Sequence, residues 1–247
     1  NGSSSVELTA TNPGGDNWNA SIDLSTLAEG SHTLTVLAND TLGNLNDTET
    51  LAFTVDRSAP TVTLETINGS NFTTTTPSIT FNYTDALFDN ISCVVHVDGS
   101  VDVTNASTRN ATTTNIALSA LSQGQHSYFV NCTDDSGNSG LTGTNNLTVD
   151  SLAPNVNTIN TPASGANLTT GTQVFNVTVN DTQFSVSTVR FNITNGSSSI
   201  ELTATNPGGD FWNASVDLTI LAEETHTLTV LANDTFGNLN NTETLTF

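Results

Sequence analysis

The sequence has no lysine and no methionine, and three arginines stand against 24 acidic residues. A net charge of -21 repels phosphate backbones and anionic lipid, so nucleic acid and membrane surfaces are poor partners, and no nucleic acid is expected. The same charge favours cations and keeps long polymers from sticking together. Without lysine, a Lys–Asn isopeptide crosslink cannot form. No run of 18 apolar residues occurs, so no membrane insertion is expected in this segment, and no signal peptide opens it. An export signal is expected to lie elsewhere. Aromatic residues are sparse at 6%, and Asn, Thr and Ser abound, a composition shared with disordered stalks. Regular alternation argues against disorder. Val174-Phe-Asn-Val-Thr-Val179 reads as a half-buried strand by pattern and by β-branched content. No long segment has a 3.6-residue period, so no helix is expected.

What the sequence does contain is repetition. Residues 1–53 align with 195–247 without a gap, with 43 identities in 53 positions. Internal duplication follows. Asp56-Arg-Ser-Ala-Pro60 and Asp150-Ser-Leu-Ala-Pro154 mark two junctions, which divide the chain into units 1–55, 56–149 and 150–247. Landmarks recur in each unit. Asn1-Gly2, Asp98-Gly99 and Asn195-Gly196 are tight-hairpin turns. Leu-x-x-Gly-x-His follows at Leu27–His32 and Leu121–His126, and Leu221–His226 carries Glu224 in place of glycine. Asp-x-x-Gly-Asn then turns the chain at Asp40, Asp134 and Asp234. In the third unit seven strands are expected, near 155–160, 173–180, 187–194, 200–205, 212–218, 225–233 and 242–247. This is the pattern of an all-β, immunoglobulin-like (Ig-like) sandwich.

The succession Asp-x-x-Ala-Pro, Gly-x-His-x-x-x-Val and Asn-Asp-Thr-x-Gly-Asn resembles the tandem Ig-like repeats of large archaeal and bacterial cell-surface proteins. The resemblance covers the whole chain. It implies stalks, surface layers, filaments or adhesins, and it carries no activity.

Residue 1 corresponds to residue 195, so the first unit is expected to lack its first three strands. Four strands cannot bury both inner faces of a sandwich, and an open edge invites pairing. Either preceding chain completes the unit, or another copy does so by strand complementation.

Cys93 and Cys132 fall on the third and sixth strands of the second unit, neighbours in one sheet of an Ig-like sandwich, where a disulfide is expected. Metal binding by two lone cysteines is not supported, because no further ligands accompany them. An oxidising compartment follows from the disulfide.

Twenty Asn-x-Ser/Thr sequons occur, against about nine expected if the 32 asparagines and 71 Ser and Thr residues were placed at random. Alternation alone generates some, since residues i and i+2 share a strand face. The candidates for N-linked glycans are Asn19, Asn39, Asn46, Asn68, Asn71, Asn82, Asn90, Asn105, Asn110, Asn131, Asn146, Asn167, Asn176, Asn180, Asn192, Asn195, Asn213, Asn233 and Asn240, with Asn1 the twentieth.

In an Ig-like unit the entering linker shares one end with two loops. This gathers Asp56, Asp85, Asp89, Asp134 and Asp135 at one junction, and Asp150, Asp181 and Asp234 at the next. Converging carboxylates suit Ca2+. Each Asp capping its own turn is the reading placed ahead of it, since no contiguous Asp-x-Asp-x-Asp-Gly calcium loop is present.

Enzymatic activity is not expected. His32, His126 and His226 recur in every unit, as a structural residue would, and His96 reads as a surface residue. No catalytic triad spacing, paired-carboxylate cleft or phosphate loop is visible. Trp18 and Trp212 read as packing residues rather than sugar-stacking platforms. The function expected is a structural component of an extracellular filament, stalk or surface layer that associates with copies of itself. The alternatives are an adhesin for a partner cell or surface glycan, and a spacer in a larger secreted enzyme.

Overall fold

The computed structural model describes residues 5–247, so the Asn1-Gly2 turn lies outside the described residues. The first unit carries β1 (Thr11–Gly14), β2 (Asn17–Asn19), β3 (Gly30–Thr35), β4 (Ala38–Asn39), β5 (Leu45–Asn46) and β6 (Thr50–Val55). In the second are β7 (Thr61–Leu64), β8 (Ser70–Phe72), β9 (Ser78–Thr84), β10 (Asn90–Val97), β11 (Ser100–Arg109), β12 (Thr114–Ala117), β13 (Gly124–Thr133), β14 (Ser139–Leu141) and β15 (Asn145–Val149). The third has β16 (Asn155–Thr161), β17 (Thr172–Asn180), β18 (Val186–Thr194), β19 (Ser199–Thr203), β20 (Thr205–Gly208), β21 (Phe211–Asp217), β22 (Thr227–Asp234), β23 (Leu239–Asn240) and β24 (Thr244–Thr246).

The second unit packs a sheet ordered β12-β9-β7 against one ordered β11-β10-β13-β15-β8, with β14 also on β13. In the third, β16-β17-β21-β20 faces β19-β18-β22-β23, with β24 also on β22. Two-residue alternation builds each core. Ile91, Cys93, Val95 and Val97 of β10 and Tyr128, Val130 and Cys132 of β13 pack with Ile79, Phe81 and Tyr83 of β9. Phe175, Val177 and Val179 pack likewise with Val189, Phe191, Ile193, Leu228, Val230 and Ala232. The fold is all-β, a series of Ig-like sandwiches.

The described residues of the first unit leave its apolar face open. Leu34 and Val36 are 48% and 55% exposed, whereas their counterparts Leu228 and Val230 are fully buried. Trp18 is 65% exposed and its counterpart Trp212 8%. In the third unit β18 pairs with β22 and β17 with β21, and among the described residues no strand takes those places beside β2 and β3.

Two details depart from the sequence reading. The strand expected at 200–205 splits at buried Ala204 into β19 and β20, which join opposite sheets. Leu24–Thr26 and Leu218–Ile220 form short 3-10 turns, each begun by an aspartate (Asp23, Asp217) whose side chain accepts a backbone N–H two residues on. A three-residue turn is too short to leave a period; its signal is the capping aspartate. Among the described residues no helix is long and apolar enough to cross a membrane.

Candidate functional site

The junctions gather the most chemistry. Asp56, Asp85 and Asp134 bring carboxylate oxygens within 4.8 Å of one another, and so do Asp150, Asp181 and Asp234. The linker supplies the first member of each group, the loop before β10 or β18 the second, and the Asp-x-x-Gly-Asn turn the third. Asp89 and Asp135 lie outside both groups.

Each carboxylate is anchored through Oδ1. Asp56 Oδ1 accepts from the Ser58 N–H and Asp150 Oδ1 from the Leu152 N–H. The Leu87 and Phe88 N–H groups donate to Asp85 Oδ1, and those of Gln183 and Phe184 to Asp181 Oδ1. Asp134 and Asp234 cap their turns in the same way. The side-chain amides of Asn138 and Asn238 donate to Oδ2 of Asp134 (3.0 Å) and Asp234 (2.8 Å) and to the carbonyls of Asp56 (3.4 Å) and Asp150 (2.9 Å). The closing Asn of the turn motif therefore ties the turn to the linker. Oδ2 of Asp56 and of Asp150 is buried without a hydrogen-bond partner. Burial pushes both carboxyls above the usual range; single backbone N–H bonds oppose this, and the charges of Asp134 and Asp85, or of Asp234 and Asp181, add to it.

The linker also holds the unit it leaves. Glu29 accepts from the Arg57 N–H (3.1 Å) and the Ser58 hydroxyl (2.8 Å), and the Arg57 guanidinium donates to the carbonyls of Leu24 and Leu27. At the next joint Gln123 accepts from the Ser151 N–H and donates to its hydroxyl, both at 2.8 Å. Sequence reasoning missed these residues. The available signal was the Glu or Gln two residues after the leucine of each Leu-x-x-Gly-x-His motif: Glu29, Gln123 and Glu223.

Elsewhere, Cys93 and Cys132 lie directly opposite on β10 and β13 and form a disulfide. The three repeated histidines share one task. Nε2 of His32, His126 and His226 sits 2.8–3.0 Å from the carbonyl of Ala28, Ser122 or Ala222, four residues back. His96 is half-buried and stacks on Phe129, with ring centroids 4.5 Å apart. Trp212 is a core residue of the third unit.

The sequon asparagines divide by exposure. Asn19, Asn39, Asn46, Asn68, Asn71, Asn90 and Asn167 are exposed. Asn82, Asn105, Asn110, Asn131, Asn146, Asn176, Asn180, Asn192, Asn195, Asn213, Asn233 and Asn240 are partly buried. In Asn110 and Asn240 the amide nitrogen, the atom a glycan would occupy, donates to the backbone carbonyls of Asp85 (2.7 Å) and Pro154 (2.9 Å).

Residues 1–57 match the family model of a bacterial Ig-like domain, and residues 154–230 that of a bacterial Ig domain. The chain carries tandem Ig-like repeats, and its first and last repeats match bacterial family models. No curated protein matches the array in sequence. Among solved structures, it is similar to the fibronectin(III)-like modules of Clostridium thermocellum CbhA (14% identity, 75% of this chain and 92% of that one, TM-score 0.40). It is also similar to a 1.5-MDa bacterial ice-binding adhesin (17%, 90% and 74%, 0.41) and to a tetra-tandem repeat from the extending region of a large adhesion protein (20%, 93% and 59%, 0.33).

Proposed function

We propose that the chain is a non-catalytic structural segment of an extracellular filament, stalk or surface layer, N-glycosylated and associating with copies of itself. The observation that carries this reading is the near-identity of residues 1–53 and 195–247, loops included, at 43 of 53 positions. A module that reads a partner varies at its binding loops; a spacer keeps them. The short linkers support the same reading. Pro60 and Pro154 are buried and fix φ, and Glu29 and Gln123 grip the residues after Asp56 and Asp150. Asn68, Asn71, Asn90 and Asn167, exposed in the second and third units, are the sites where a glycan meets least obstruction; the counterparts of Asn19, Asn39 and Asn46 in the third unit are partly buried.

Electron microscopy of native material tests the assembly. Ordered filaments or layers support it, and isolated flexible rods with no lateral order refute it. Peptide mass spectrometry of the same material tests the glycans: occupancy is expected at exposed sites such as Asn68 and Asn71 ahead of Asn110 and Asn240, and unmodified peptides throughout would end that part.

A further inference from the structure

We propose that each junction is a divalent-cation site suited to calcium, with Asp56, Asp85 and Asp134 around one ion and Asp150, Asp181 and Asp234 around a second. This stands independently of the filament reading. Three carboxylates from three segments converge to within 4.8 Å; when ionised they repel one another, and a cation among them relieves that repulsion. Among the described residues the two groups account for six aspartates, and no arginine pairs with any of them.

The second observation is the orphaned oxygen. Asp150 is wholly buried, and its Oδ2 has no hydrogen-bond partner. Asp56 is partly exposed as a residue, but its Oδ2 is likewise buried and without a partner. A buried carboxylate oxygen left unpaired is costly, and native proteins rarely tolerate one without an ion or water to meet it. Turn capping does not relieve it, because the cap of each linker aspartate ends on Oδ1. A cation bound by Oδ2 and an N–H bound by Oδ1 are compatible on one carboxylate.

The donor set selects the ion. It is all oxygen, with no imidazole or thiolate in either group, which disfavours zinc. Oxygen ligands borne on a linker and two loops suit calcium's adaptable six- to eight-fold shell better than magnesium's rigid octahedron. Asn138 and Asn238 act as positioning residues, since each amide holds a turn carboxylate against the linker carbonyl. The ion thus fastens the linker to the unit it enters, while Glu29 and Gln123 fasten the following residue to the unit it leaves. Linker order becomes calcium-dependent at both joints.

The test is calorimetric titration of the chelator-stripped 247-residue chain with CaCl2, with MgCl2 in parallel and thermal melts alongside. Two calcium ions per chain are expected, with Tm rising by about 10 °C at a hundredfold excess over Kd. Asp150→Asn and Asp56→Asn should each lower the count to one, and the double variant should bind none. If Asp150→Asn does not fold, Asp181→Asn reads the same site from outside the linker. No heat and no Tm shift up to about 10 mM calcium, above the range of weak extracellular sites, overturns the proposal. Two ions still bound by the double variant overturns it equally.

Discussion

Gly140→Ala should selectively destabilise the second Ig-like unit. Gly140 is buried on β14, opposite Cys132, and its φ lies outside the left-handed region. An alanine there is therefore not strained by backbone conformation; the obstacle is space. A Cβ at this position would stand 1.8 Å from the Pro60 carbonyl oxygen, 2.9 Å from its carbon and 3.3 Å from Val62 Cγ2. Two of these three atoms are backbone, so no rotamer change relieves the clash. The linker or β14 must move by more than about 1 Å, against the density of a close-packed interior. Overpacking of this kind costs about 1–3 kcal/mol, and for a unit near 100 residues each kcal/mol shifts Tm by about 4–8 °C. The second unit's transition should fall by about 5–20 °C in differential scanning calorimetry. The third unit serves as an internal reference. Its equivalent residue is Asn240, which reaches the Pro154 carbonyl with its amide at 2.9 Å. Gly143→Ala is the matched control, because a Cβ there meets nothing within 4 Å. A Gly140→Ala transition within 2 °C of the Gly143→Ala transition would refute the packing argument.

Two further outcomes concern the second unit alone. Replacing Cys93 and Cys132 by alanine opens a loop with a sequence separation of 39. In the chain-entropy model this costs about 4 kcal/mol; urea melts should show the loss in the second unit, and an unchanged midpoint would refute it. The His126–Asp98 pair should make that unit's stability pH-dependent. Burial works to lower the His126 pKa, but the Asp98 hydrogen bond, the Ser122 carbonyl and the Asp98 charge outweigh it, leaving it raised above 6.5. The His126 hydrogen bond, chiefly, holds Asp98 below 3.8. The histidine's contribution is full below 6.5 and is lost as pH rises through its folded pKa. That of the aspartate is full above 3.8 and is lost as pH falls through its own. Asp98 is half exposed, so the effect is small. Melts from pH 5 to 9 should decline at the alkaline end in the wild type and less so in Asp98→Asn; parallel curves would refute the coupling.

Much of this was legible in the sequence because strand alternation and turn chemistry are local. Ile91, Cys93, Val95 and Val97 alternate with polar residues, and burial follows that alternation. Asp98-Gly99 announces a turn that needs positive φ, and both residues adopt it, at 50° and 79°. Ala204 was not legible as a crossing point, since switching sheets depends on which neighbour each half of the strand meets. Gly140 and Asn240 occupy equivalent places, yet nothing local says that both face a proline carbonyl of the linker, one by yielding space and the other by donating to it.

The aspartates show most clearly what the sequence could and could not reveal. Turn capping and cation binding look like rival accounts of Asp56, Asp85 and Asp150, because a sequence gives one residue to assign to one role. A carboxylate has two oxygens, and the two roles fall on different ones. Capping through Oδ1 fixes the side-chain torsions, and in the two linker aspartates this leaves Oδ2 buried and unpartnered within its group. The turn bond that accounts for each aspartate locally is then also what orients it toward the others. Asp89 and Asp135 carry the same charge in the same loops, but among the described residues neither caps a turn through its side chain, and both stand outside the groups. Charge brings an aspartate to the junction end of the unit; the turn bond decides whether it joins the cluster.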